Sequence, residues 1–134
     1  MIVAGFGFST TATVGSLQDA LREAIAACAT YIAPGHLPER LATAEDKAQS
    51  PAFTGLGDAL TLPLAAIPAT QLAEQATLTR SARSLAERGT GSVAEASALA
   101  AAGPAARLLG PRMISNDRLA TCALAVSKTE GQHP

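Results

Sequence analysis

The chain has 134 residues, a formal net charge of −1, 48% hydrophobic residues and 16% charged ones. That fits one domain, long enough to bury about two-thirds of the surface its unfolded chain exposes, and the low charge excludes intrinsic disorder. Aromatics are 3% with no tryptophan, and no basic stripe is present, so nucleic acid is excluded as a partner by stacking or by phosphate contacts.

No apolar run reaches the length of a membrane span. The start, MIVAGFGFS, has no positive n-region and breaks at Gly5 and Gly7, so no signal peptide and no membrane partner are expected, and the expected location is cytoplasmic. Cys28 and Cys122 lack metal spacing and read as small buried hydrophobes rather than a disulfide.

Residues 2–8, IVAGFGF, read as a buried first strand ending in a glycine loop, with 9–15 as the loop. Residues 16–32 carry Leu17, Leu21, Ala24, Ile25, Cys28 and Ile32 on one stripe and predict an amphipathic helix. Ser16 with Asp19 three residues on fits a capping box. Residues 40–44, RLATA, predict a second strand, and Pro51 suits the first turn of a helix over 51–60. Residues 62–68 predict a third strand and 69–88 two short helical pieces. After the turn RGTGS comes a helix of about ten residues, closed by Gly103-Pro104. Residues 106–114 and 118–126 predict two final strands, joined as a hairpin through 115–117. Strands alternating with helices give an α/β class: a single domain with a mixed, mostly parallel sheet flanked by helices.

Two glycine segments bear on chemistry. In GFGFSTT, Gly5 and Gly7 follow a strand, but Thr10 stands where a dinucleotide fingerprint needs its third glycine. Two readings stand open. The loop is a turn that lets the chain leave the sheet, or Ser9, Thr10 and Thr11 offer hydroxyls and backbone N–H groups to a polar ligand. In GTGSVAE no lysine follows the second glycine, so it is not a phosphate loop. Ser92 as cap, with Glu95 reaching back to the cap N–H, accounts for both residues. The same helix start exposes N–H groups and a partial positive charge that suit a carboxylate. Two such starts, at Ser16 and Ser92, would receive a polycarboxylate if the fold brought them together.

The catalytic inventory is thin. His36 and His133 have no metal-ligand neighbours, and no Ser-His-Asp elbow is visible, so no metal and no cofactor are expected. Lys47 follows a strand end, where ligands gather in α/β sheets. It reads either as part of a solvated loop or as a ligand cation and proton carrier, the one catalytic candidate. Arg80, Arg83 and Arg88 read as solvent-facing. Arg112 interrupts an apolar region and is a candidate ligand contact.

The segments GFGFSTTATVGSLQDALREA, LATAEDKA, GTGSVAEASALAAAG and LLGPRMISNDRLATCALA occur in this order over roughly residues 2–126. On them the chain resembles the family of the cobalamin biosynthesis protein CobE and the C-terminal domain of CbiG, giving a domain over 1–126 and a polar tail over 127–134. The resemblance implies a small protein of corrin-ring assembly that binds a precorrin of the aerobic route as an accessory or carrier, with other corrin-pathway enzymes as partners. A lactone hydrolase like CbiG is the alternative, and a general binding module for anionic metabolites a third. It implies ligand contacts at Gly5, Gly7, Ser9, Thr10, Thr11, Lys47, Thr90, Gly91, Ser92 and Arg112. Relatives often carry a Cys-Arg pair where Phe8 and Ser9 stand here, and an acidic residue where Ser50 stands. Those departures weigh against hydrolysis more than against binding.

Overall fold

The computed structural model describes residues 1–32 and 36–127. Its first strand sets the layering. β1 (Ile2–Phe8) sends Ile2, Ala4 and Phe6 into one core cluster and Val3 into a second, as the two-residue period of a strand requires. β2 (Arg40–Ala44) lies parallel to β1, and β3 (Leu64–Ile67) parallel to β2. β4 (Arg107–Leu108) and β5 (Met113–Ile114) are short, and both pair antiparallel with β6 (Ala120–Val126). β6 in turn pairs antiparallel with β1, from Ile2 opposite Val126 to Phe8 opposite Ala120. The six-stranded sheet has the order β3-β2-β1-β6-β4, with β5 also on β6. Only β6 runs against the other strands, so the sheet is mixed and mostly parallel, as expected.

Helices flank both faces. α1 (Val14–Ala27) and α2 (Pro51–Leu60) pack on the Ile2–Ala4–Phe6 face. α3 (Ala69–Ala73) and α5 (Val93–Ala102) pack on the Val3 face. Between them, α4 (Ala82–Arg88) buries none of its residues. Gly5 allows α5 its close approach. A methyl there would strike the Ala94 carbonyl, the Ala98 nitrogen and the Ser97 hydroxyl. With alanines at 94, 96, 98 and 102 buried, an almost aromatic-free layer still packs tightly. The three phenylalanines gather on the other face: Phe53 of α2 lies edge-on to Phe6 at 6.3 Å and stacked with Phe8 at 6.2 Å. Cys28 and Cys122 are free and buried, and burial raises both thiols above their ordinary range.

Four boundaries differ from the sequence expectation. α1 starts at Val14, not Ser16, and ends at Ala27, followed by a helical turn at Ala29–Tyr31. Thr13 is its cap. The Thr13 hydroxyl accepts the Ser16 N–H at 3.2 Å, and the Ser16 hydroxyl accepts the Thr13 N–H at 3.1 Å. Serine thus takes the role that Glu or Gln usually fills, and Asp19 has no part in the cap. β3 is shorter than 62–68 because Pro63 and Pro68 offer no N–H to the ladder. The strand over 106–114 is broken into β4 and β5, where Pro111 again cannot donate. The final hairpin forms as expected, closed by Ser115 N–H to the Ala120 carbonyl at 2.9 Å.

No helix among the described residues is long and apolar enough to cross a membrane. His133 and the tail from 128 onward lie outside the described residues.

Candidate functional site

The sheet order reverses beside β1. The chain builds β2 and β3 on one side of it and adds β4, β5 and β6 on the other. In open α/β sheets such a switch leaves a crevice at the carboxyl ends of the parallel strands. A cleft of about 440 Å³ lies there, within the range of small-molecule sites, about 300–1,000 Å³.

Its floor is the end of the β1–β6 ladder, Gly7, Phe8, Ala120 and Thr121. The Thr121 hydroxyl donates to the Gly7 carbonyl at 3.2 Å, and the Thr43 hydroxyl of β2 donates to the Phe6 carbonyl at 2.8 Å. These bonds fix both side chains at the cleft edge. On the β2 side the helical turn Glu45–Lys47 carries Lys47, half-buried, with its Nζ 5.0 Å from the Phe8 ring centre. This is cation–π distance, and Phe8 is itself held by Phe53. Ser9 and Thr10 stand exposed at the mouth.

The opposite wall is α4, with Ser81, Arg83, Ser84, Glu87 and Arg88 on the cleft. The Arg88 guanidinium binds the Asp46 carboxylate with both nitrogens, at 2.7 and 2.8 Å. This bidentate clasp joins α4 to the Lys47 turn. Its hydrogen bonds hold the Asp46 carboxyl below the usual range and raise Arg88 above its own. Arg88 was expected to face solvent, but this contact draws it in to 25% side-chain exposure. Arg83 stays exposed and pairs with Glu87 at 3.3 Å. The Ser84 hydroxyl is buried and has no hydrogen-bond partner among the described residues.

The remaining cations come from the end of the chain. Arg112 and Arg118 line the cleft beside Leu119. Among the described residues, neither they nor Lys47 has a carboxylate within ion-pair distance. The cleft therefore pairs two compensated cations, Arg83 and Arg88, with three uncompensated ones.

Glu95 departs most from its expected role. Ser92 does cap α5, accepting the Glu95 N–H at 3.2 Å. The Glu95 side chain does not reach back to the cap. It is fully buried and accepts from Leu78 N–H (2.6 Å), Thr79 N–H (2.9 Å), the Thr79 hydroxyl (2.6 Å) and Arg112 N–H (2.8 Å). Four donors offset the cost of burying a carboxylate, and their segments lead into α4 and β5.

Of the candidates read from sequence, Gly7, Ser9, Thr10, Lys47 and Arg112 meet in the cleft. Gly5 lies beneath α5, and Thr11 is exposed and shares a hydrogen bond with Ser9. Thr90, Gly91 and Ser92 are buried, Gly91 so close to the Thr79 carbonyl that no Cβ fits. The α1 start does not line the cleft; only the α5 start borders it, through Val93. Sequence reasoning missed Phe8, Thr43, Ser81, Ser84, Arg118 and Thr121. Thr43 and Thr121 were readable as hydroxyls at a strand's cleft-side end, but α4 and Arg118 gave no local signal.

Fold and cleft together define a single-domain α/β protein with a cationic, hydroxyl-lined crevice at a sheet switch point. The family model "Cobalamin synthesis G C-terminus" matches residues 2–125, and the chain belongs to that cobalamin-biosynthesis family. It is similar to the crystal structure of CobE, a protein from the cobalamin (vitamin B12) biosynthetic pathway, with 29% identity and a TM-score of 0.79 over 93% of this chain and 92% of that one. It is also similar to the cobalamin biosynthesis protein chiG from Agrobacterium tumefaciens str. C58, with 32% identity and a TM-score of 0.71 over 96% and 99% of the two chains. No curated protein matches the chain.

Proposed function

We propose that the cleft binds a precorrin, a corrin-pathway macrocycle ringed with acetate and propionate groups, and that the protein holds it as an accessory or carrier for other enzymes of that pathway. The observation that carries this reading is the set of uncompensated cations, Lys47, Arg112 and Arg118, around one apolar-floored cleft. Each can take a carboxylate in a charge-assisted hydrogen bond, with Ser9, Thr10 and Ser81 offering further hydroxyls. Phe8 supplies a flat apolar surface next to Lys47, suited to the edge of a flat ring. A macrocycle is larger than the cleft, so one edge enters and the rest stays outside. That arrangement suits a carrier that must hand its cargo on.

Binding is favoured over hydrolysis because, among the described residues, no cysteine or histidine lines the cleft. Among the described residues of the cleft, Lys47 and Glu87 are the ionisable groups without an arginine's permanent charge, and neither is hydrogen-bonded to a cleft hydroxyl there. Spectroscopic titration with hydrogenobyrinic acid, a cobalt-free corrin polycarboxylate, tests the reading. Saturable change in the chromophore spectrum is expected. No change, together with a rise in melting temperature on adding inorganic phosphate or a nucleotide, replaces it with a general anion-binding module.

A further inference from the structure

The turn between β5 and β6 carries a residue at odds with its own backbone. Arg118 has φ of +63°, in the left-handed region. Its N–H closes the turn on the Ser115 carbonyl at 2.9 Å. Glycine or asparagine takes that conformation with less strain, because Cβ crowds the following carbonyl in other residues.

The neighbours explain their own places. The Asp117 carboxylate accepts from the hydroxyls of Ser16 and Ser115, both at 2.6 Å, and from Leu119 N–H at 3.0 Å. Asn116 donates its N–H to Asp19 at 2.6 Å. The Arg118 side chain makes no such bond among the described residues, and its side of the turn faces the cleft. Nothing in the hairpin requires an arginine there, whereas the cleft gains a cation on its β6 side, away from Lys47 on its β2 side.

Resting on the carboxylate reading of the cleft, we infer that Arg118 is a specificity-determining contact: it grips a carboxylate on the part of the ligand rim that projects past β6. A planar guanidinium takes such a group with two parallel hydrogen bonds, which an ammonium does not. Backbone strain is then retained for binding, as at other functional turns.

The substitution R118N separates this role from a structural one, because the two move stability in opposite directions. Asparagine relieves the turn, so the melting temperature should rise by roughly 2–4 °C. Affinity for hydrogenobyrinic acid should fall about tenfold or more, the loss of one charged hydrogen-bonded contact. R118K, which keeps charge without the fork, should recover part of that affinity. Wild-type affinity in R118N overturns the inference, as does a joint loss of stability and affinity, which marks a structural residue. If wild-type protein binds no corrin polycarboxylate, the carboxylate reading itself fails, and Arg118's role with it.

Discussion

The buried Glu95 carboxylate accepts the backbone N–H of Arg112 at 2.8 Å, tying the first turn of α5 to a residue of the cleft wall. The same carboxylate holds Leu78 and Thr79, which lead into α4. One side chain thus sets the spacing of two walls. Glu95→Ala leaves three backbone N–H groups and a hydroxyl without an acceptor, at a cost of about 3 kcal/mol or more. Glu95→Gln keeps one carbonyl acceptor and should cost less. Urea unfolding of the two variants checks the order.

Three glycines separate packing from binding. Gly5→Ala drives a methyl into α5 backbone and should cost about 3 kcal/mol, with unchanged affinity for ligand in the molecules that fold. Gly91→Ala should behave likewise against the Thr79 carbonyl. At Gly7 the nearest atom is the Thr121 hydroxyl at 3.0 Å, so the alanine costs about 1 kcal/mol. This methyl enters the cleft floor and should weaken binding. Affinity corrected for folded fraction distinguishes the cases.

Lys47→Ala removes a cation–π contact worth about 0.5–1 kcal/mol in stability and, by the proposed function, about a tenfold share of ligand affinity. Titration with hydrogenobyrinic acid reads the second effect. Retained affinity with lost turnover in a reconstituted corrin pathway would instead make Lys47 a catalytic group.

The Asp46–Arg88 clasp should weaken in acid. Its hydrogen bonds lower the Asp46 carboxyl in the folded protein, so the unfolded chain binds the proton first as pH falls. The stabilisation is complete above the ordinary aspartate value, about 3.9, and is lost as pH drops through the folded value below it. Asp46 is 65% exposed, so the effect is at most about 1 kcal/mol. Asp46→Asn should lower stability slightly at pH 7 and match wild type in strong acid, as thermal unfolding across pH would register.

Elements whose signal is local were readable from the residues alone. The apolar run of β1, Pro51 opening α2, and Ser92 capping α5 each state their role within a few positions. The Thr13 cap was obscured because its reciprocal partner is serine. Glu95 was placed in a box by spacing, yet its acceptors serve donors 16 and 17 residues away. Such a destination depends on tertiary packing, which no window of sequence contains. The same holds for the cleft: Lys47 stood out after a strand end and Arg112 by interrupting an apolar stretch, whereas Arg88 and Arg118 acquire meaning only when α4 and the last hairpin dock.

The placement of β6 has a consequence for how the sheet closes. β6 is an interior strand of the sheet, and it seals β1, more than a hundred positions earlier in the sequence, from Ile2–Val126 to Phe8–Ala120. Until β6 docks, β1 keeps an open edge of unpaired N–H and C=O groups beside apolar side chains. Contacts of that sequence separation are slow to close. A chain in which β6 has not yet docked is therefore more exposed to edge-to-edge aggregation than the closed sheet.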